Sequence, residues 1–338
     1  MATLRYVCLD LHKKEIVYCA KTKGGKIRDE GSIPSTRQGL DAWLQTLGKP
    51  WVGAMEATLF TGWIYDYLRP HARALKVAHP AMLKAIIASK KKNDRVDAAK
   101  IADLLRCDLL PECYMTSEKT RELRRVLRYR NKIVTQATRM KNKIAGLLME
   151  VGEPYVKDKL HGKRYFENLM GSLSDTPESV KDLMRISRGA LEMFVDIQRR
   201  LVEGLKRHPG LRERVELLMS IPGVGKVLAL TWALEIDDVS RFPASRQAVS
   251  YCGLCSAQNS SAGKETRGPI SKQRNRHLQS MLIEAAKLAP RYNPQLAEVR
   301  EREVARGNRN RATLAVARKL VAYLMAVDKS GMPFEQRC

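Results

Sequence analysis

Between Glu118 and Glu150, Leu123, Val126, Ile133, Ala137, Met140, Ile144 and Leu147 recur at alternating three- and four-residue steps, and Arg130 fills one seam position. This heptad spacing predicts a long α-helix with one apolar seam. A chain carrying such a segment is not a single small core. At 338 residues it divides instead into units of about 100–200 residues. The expected organisation is a first domain over 1–110, a helical coiled-coil connector over 111–208 and a C-terminal domain over 209–338. A second helical region from about Glu178 to Lys206 follows a polar stretch with Gly171, Ser172 and Pro177, so the two long helices can pack as an antiparallel pair.

The first hundred residues alternate between strand and helix patterns. Arg5 to Leu11 is a short apolar strand, Glu15 to Ala20 a second, and Lys23-Gly24-Gly25-Lys26 before Ile27 signals a hairpin turn, so three strands open the domain as a meander. A helix around Leu40, Trp43, Leu44 and Leu47, a strand from Trp51 to Met55, a helix near Ile64 to Leu68, a strand from Ala74 to Ala78 and a helix from about Asp94 to Cys107 follow. By analogy of pattern, this is the element order of the ribonuclease H fold. The fold class expected is an α/β, RNase H/RuvC-like N-terminal domain, the helical connector and a mainly α-helical C-terminal domain.

That last domain opens on Ser220-Ile221-Pro222-Gly223-Val224-Gly225-Lys226, which leads into the apolar segment Val227 to Leu234 and resembles the tight turn of a helix-hairpin-helix. The reading as a purely structural turn stands beside it. Gln258 to Arg276 is polar, basic and too long for a plain turn, which favours a functional loop. Helices return from about Leu278 to Ala289 and from Arg311 to Val327.

Charge narrows the partners. With 61 Lys and Arg against 36 Asp and Glu the net charge is +25, a field that favours a polyanion. The long heptad helix concentrates it on an outer face with Arg121, Arg124, Arg125, Arg128, Lys132, Arg139, Lys141 and Lys143 and few acids. Exposed helices ordinarily mix both signs, so nucleic-acid backbone contact is the expectation, with a solvated face as the ordinary alternative. No apolar run approaches the roughly 20 residues of a membrane span, and the start lacks a signal-peptide pattern, so membrane is excluded as a partner and a cytoplasmic location is expected. Seven unevenly spaced cysteines do not make a secreted disulfide framework. The one Cys252-x-x-Cys255 pair has no second half, and small apolar packing is its simpler role.

The chemistry rests on acids in expensive places. Asp10 sits within an apolar strand and Glu56 ends another, while Asp94 and Asp97 are three apart and project from one face of a helix. If that helix crosses the two strand ends, four carboxylates converge. Their mutual repulsion calls for cations, and an all-oxygen site suits Mg²⁺ or Mn²⁺. Each acid taken alone is more often a cap or a surface ion pair.

Leu9-Asp10-Leu11-His12-Lys13-Lys14, Met55-Glu56-Ala57-Thr58 and Lys92-Asn93-Asp94-Arg95-Val96-Asp97-Ala98 resemble the DEDD motif of the RuvC-like domain in transposases of the 110 family of bacterial insertion sequences. Gly253-Leu254, Ser260-Ser261, Gly268-Pro269-Ile270-Ser271-Lys272, Arg318-Lys319-Leu320 and Lys329-Ser330-Gly331-Met332-Pro333-Phe334 resemble that family's second domain in the same order. The resemblance implies a DNA recombinase. It implies metal on the four carboxylates and a serine of the second domain that attacks the phosphodiester to form a phosphoserine link. By position after Gly253-Leu254 that serine corresponds to Ser261, with Ser260 as the alternative; Ala262 stands where the family has glycine. Lys264, Arg267 and Lys272 lie in the same segment as candidate phosphate contacts. The resemblance further implies a structured bridge RNA that guides donor and target DNA, and a homo-oligomer, a dimer assembling to a tetramer on the synapse, with active sites shared between protomers. A metal-dependent nuclease resembling a Holliday-junction resolvase, with water as nucleophile, is the competing reading, and a non-catalytic RNA scaffold is a further one.

Overall fold

The computed structural model describes residues 3–87, 93–261 and 263–335, and for Ile87, Asn259, Ser261, Lys264, Glu265 and Arg267 the backbone alone. The chain forms two compact units, Met1–Arg121 and Glu122–Cys338.

In the first unit, β1 (Arg5–Leu11), β2 (Glu15–Lys21) and β3 (Ile27–Pro34) are an antiparallel meander, and β4 (Trp51–Glu56) and β5 (Ala74–Ala78) extend it in parallel, giving the order β3-β2-β1-β4-β5. The predicted strands are therefore present, in the predicted order. Gly25 closes the β2–β3 turn at φ +86°, in the left-handed region that glycine enters freely. The β1–β2 turn is tighter: the His12 backbone N–H donates to the Glu15 carbonyl at 3.0 Å.

Period-two alternation divides this sheet into two faces. Val7, Leu9 and Leu11 of β1 and Trp51 and Met55 of β4 pack against Leu40 and Trp43 of α1 (Arg37–Thr46) and Ile64 and Leu68 of α2 (Thr61–Leu68). Each such fully buried aliphatic side chain contributes roughly 1.5–3 kcal/mol. The alternate residues Cys8 and Ala54 face α4 (Asp94–Arg106), whose Ala98 and Ala102 let the helix lie close across the sheet. A short helix, α3 (Pro80–Ile87), was not expected; it is too short for its apolar period to stand out.

The second unit is mostly helical. The heptad segment is α5 (Glu118–Glu150); Ile144, Leu147 and Leu148 of α5 share a core with Met184 of α7 (Glu178–Arg207), and Leu127 shares another with Val202 and Leu205. The first of these cores also takes Phe166 from α6 (Lys163–Ser172). The buried stripe departs from the predicted seam: Leu127 and Leu148 are buried, whereas Leu123, Val126 and Met140 are only partly so. The helix meets a globular core at each end, which widens its apolar face beyond a two-position seam.

Next, α8 (Pro209–Met219) and α9 (Lys226–Ile236) are joined by the Pro-Gly-Val-Gly turn, where Gly223 has φ +92° and a Cβ would stand 2.6 Å from that of Ala289. Every residue of α9 from Leu228 to Ile236 is buried, so this helix is the axis of the unit, with α11 (Arg276–Leu288) and α13 (Arg309–Ser330) against it. Two shorter helices are α10 (Ser245–Tyr251) and α12 (Pro294–Ala305). The Trp232 indole N–H donates to Asp328 at 2.8 Å, and Arg214 holds the same carboxylate with two bonds of 2.7 Å. The expected polar loop is instead a hairpin, β6 (Ser256–Ser261) and β7 (Lys264–Ile270). Among the described residues, no helix is long and apolar enough to cross a membrane.

Candidate active site

The alternation that buries Cys8 and Ala54 under α4 carries forward along each strand. Two residues on, β1 presents Asp10 and β4 presents Glu56 on that same face, at the carboxyl ends of neighbouring parallel strands where Leu9 pairs with Met55. Glu56 is fixed at the point where the strand stops, because the Thr61 hydroxyl that begins α2 donates to the Glu56 carbonyl at 2.8 Å. Above them α4 starts. Asn93 caps it by accepting from the Arg95 N–H at 3.1 Å, which sets Asp94 and Asp97 in the first turn, where the helix dipole favours anions. The strand ends and the helix start thus supply the four predicted acids from three separate elements.

Their electrostatics carry the mark of a crowded site. Burial pushes the Asp10 carboxyl above its ordinary range; His12 opposes the rise, while the Asp94 and Asp97 charges add to it. The Glu56 charge reaches this neighbourhood too, since after burial and Asp10 it helps to raise the Cys8 thiol well above its usual value. The sequence did not single out His12 as a donor. His12 Nε2 stands 3.2 Å from Asp10 Oδ2 and 3.4 Å from Asp94 Oδ2, and one donor atom from each of the three lies within 4.8 Å of the others. Two carboxylate oxygens and an imidazole nitrogen at that spacing fit a divalent cation of the Mg²⁺ or Mn²⁺ class, so the residues present accommodate the metal that the acids call for.

The proposed serine lies in the second unit. The backbone of Ser261 is the last residue of β6 and pairs with Lys264, and Gln258 pairs with Arg267. The side chains of Ser261, Lys264 and Arg267 lie outside the described residues. Ser260 and Lys272 are described, and both are exposed. Cys252 is buried, which pushes its thiol up to about 12, as suits a packing residue rather than a redox one.

The basic face of α5 is less uniform than its sequence. Arg121 is bonded to the Asp66 carboxylate and the Thr116 carbonyl. Arg128 grips Glu235 with two bonds of 2.8 Å, and Arg124 donates to the Leu234 carbonyl at 2.8 Å while its guanidinium lies 3.8 Å from the same acid. Asn275 adds a third bond to Glu235 at 2.8 Å. Burial alone would raise the Glu235 carboxyl, but Arg128, Asn275 and Arg124 together hold it below its ordinary range. Arg125 and Lys132, in contrast, are exposed and remain candidates for a polyanion contact. Glu235 went unnoticed in the sequence although it is, like Asp10, a lone acid in an apolar run.

The family of DEDD transposases matches residues 7–152, and the family described as Transposase IS116/IS110/IS902 matches residues 215–301. The chain is similar to a transposase for insertion sequence element IS1111A of Coxiella burnetii, with 26% identity over 97% of this chain and 90% of that one. It is similar to a transposase for insertion sequence element IS1328 of Yersinia enterocolitica, with 24% identity over 99% and 100%. A pilin gene-inverting protein of Moraxella bovis is 28% identical over 38% of this chain and 41% of its own. The two family matches fall, in order, on the domain that holds the acids and on the domain that holds the serine hairpin, and the chain belongs to the IS116/IS110/IS902 family of transposases, enzymes of DNA transposition.

Proposed function

We propose that this transposase cleaves and rejoins DNA through a covalent phosphoserine intermediate formed on Ser261, with Asp10, Glu56, Asp94 and Asp97 holding Mg²⁺ or Mn²⁺ at the same reaction centre. The observation that carries the reading is the gathering of Asp10 and Asp94, with His12 between them, where the strand that bears Glu56 ends. In this reading the N-terminal sheet is an RNase H/RuvC-like domain, α5 and α7 a coiled-coil connector and the α8–α9 turn a helix-hairpin-helix. An ion held by these acids would supply Lewis-acid chemistry, offsetting charge that develops on the scissile phosphate.

The chain's own groups do the rest. Ser261 Oγ attacks phosphorus as the bond from phosphorus to the sugar oxygen breaks, and the serine proton passes through water to the departing oxygen. Lys272, with Lys264 and Arg267 of the hairpin, steadies the phosphate charge. Arg125 and Lys132 join the surface that takes a structured bridge RNA, a role motivated by the net charge of +25 and the one-signed helix face. Recombination joins two duplexes, so the working form is a dimer that assembles to a tetramer on the synapse.

Incubation with nicked or suicide DNA substrates tests the mechanism. A protein–DNA adduct that survives denaturation is expected from the wild type and none from Ser261→Ala. An undiminished adduct from that variant moves the nucleophile elsewhere, with Ser260→Ala tested next. Cleavage that persists in Ser261→Ala with no adduct at all supports hydrolysis by water.

A further inference from the structure

The four-carboxylate reading is an all-oxygen site, yet an imidazole stands against Asp10 in the structure. The His12 backbone is held by the turn bond from its N–H to the Glu15 carbonyl at 3.0 Å. From that anchor one and the same nitrogen, Nε2, stands 3.2 Å from Asp10 Oδ2 and 3.4 Å from Asp94 Oδ2. A single N–H points its proton along one line and serves one acceptor well. Near-equal spacing from two oxygens is the spacing of donors around a common centre: adjacent ligands at about 2.1 Å from an octahedral ion lie about 3.0 Å apart. The ring also meets the access requirement, because the His12 side chain is 40% exposed and that of Asp94 45%, while Asp10 is 15% exposed. An ion arriving from solvent reaches the imidazole and Asp94 first and the strand carboxylate last.

We propose that His12 Nε2 is itself a ligand of the catalytic ion, and that this nitrogen makes the site prefer Mn²⁺ to Mg²⁺. The inference rests on the metal reading above and deepens it. Mg²⁺ is a hard ion that takes oxygen and keeps its water, whereas imidazole gains affinity along the first-row transition series. One nitrogen among carboxylates therefore shifts the balance toward Mn²⁺ without excluding Mg²⁺.

The test uses the full-length chain with Mn²⁺ alone, read by electron spin echo modulation from directly bound ¹⁴N, and with Mg²⁺ as the competitor. The expected result is a nitrogen coupling in the wild type that disappears in both His12→Ala and His12→Gln. Mn²⁺ affinity should fall by at least about tenfold, the lower end of what loss of even a supporting partner costs a metal site, and Mg²⁺ affinity by less. The wild-type spectrum needs no variant, so a folding defect in either substitution leaves that arm intact. Bound Mn²⁺ that is lost in Asp10→Asn but shows no nitrogen coupling overturns the histidine ligand and leaves the carboxylate site standing. Equal weakening of both ions in the His12 variants overturns the preference. Mn²⁺ binding indifferent to Asp10→Asn overturns this inference together with the reading on which it rests.

Discussion

Asp10 occupies a strand position that an apolar residue would fill at lower cost, and two consequences follow. With Asp10 a ligand of the ion as proposed, Asp10→Asn should lower strand cleavage by about three decades or more, since such metal-borne electrostatic stabilisation amounts to several kcal/mol, while DNA binding persists; gel assays of cleavage and of shift separate the two. Full cleavage by this variant in Mg²⁺ would remove the assignment. The second consequence concerns the fold. Burial, then the Asp94 and Asp97 charges against the counter-pull of His12, hold the folded carboxyl above its ordinary value. Its ionisation therefore weighs against the folded state at neutral pH, and the penalty is relieved as pH falls through the raised pKa. In chelator at pH 7, Asp10→Asn should melt higher than wild type, and the gap should close toward about pH 4, where an ordinary aspartate also takes up its proton. A lower melting temperature at pH 7 would contradict the penalty. Asp10 and Glu56 were legible in the sequence because a carboxylate in an apolar strand is conspicuous. His12 was not, because an exposed turn histidine costs nothing and raises no such flag.

Helix α5 shows why a run of like charge is not yet a binding surface. Arg124 and Arg128 share a face with Arg125 and Lys132 in a helical projection, but α9 brings the buried Glu235 to meet the first pair, and that meeting depends on residues about a hundred positions away. No window on α5 alone contains that information. Arg128→Ala should cost roughly 3 kcal/mol, because it leaves a buried carboxylate short of its best partner, and denaturant unfolding measures it. A cost below about 0.5 kcal/mol would mean the pair behaves as a surface ion pair. The Glu235 carboxyl is held low, so its contribution is complete above the unfolded value of about 4.3 and is lost as pH falls through the lower folded one. Arg125→Glu with Lys132→Glu, both exposed, should instead leave stability unchanged, weaken nucleic-acid binding and flatten its dependence on salt. Unaltered affinity across a salt series takes this face out of the binding surface. The β6–β7 hairpin escaped sequence reading for another reason: Ser256-Ala257-Gln258-Asn259-Ser260-Ser261 has no apolar alternation, so nothing in its period distinguishes strand from loop.

For the molecule as a whole, the acids and the serine belong to different compact units, and the shared-site proposal can be tested by mixing. Asp10→Asn and Ser261→Ala proteins, each inactive, are combined under subunit exchange and assayed for covalent cleavage of one strand. If active sites are shared, one mixed pairing joins intact acids to an intact serine and part of the cleavage returns; no return from proven mixed oligomers rules sharing out. In the sequence α5 stands apart in a connector over 111–208; that its Leu127 is absorbed by a core made from residues after 200 is not visible in the heptad spacing. The packing around Trp232 has one more consequence. Of the four tryptophans, Trp43, Trp51 and Trp63 lie in the first unit, and Trp232, fully buried and bonded to Asp328, is alone in the second. Fluorescence thus comes with a built-in address: with the first three replaced by phenylalanine, the remaining emission reports the opening of the second unit alone, and its shift to longer wavelength marks the moment the Asp328 bond gives way to water.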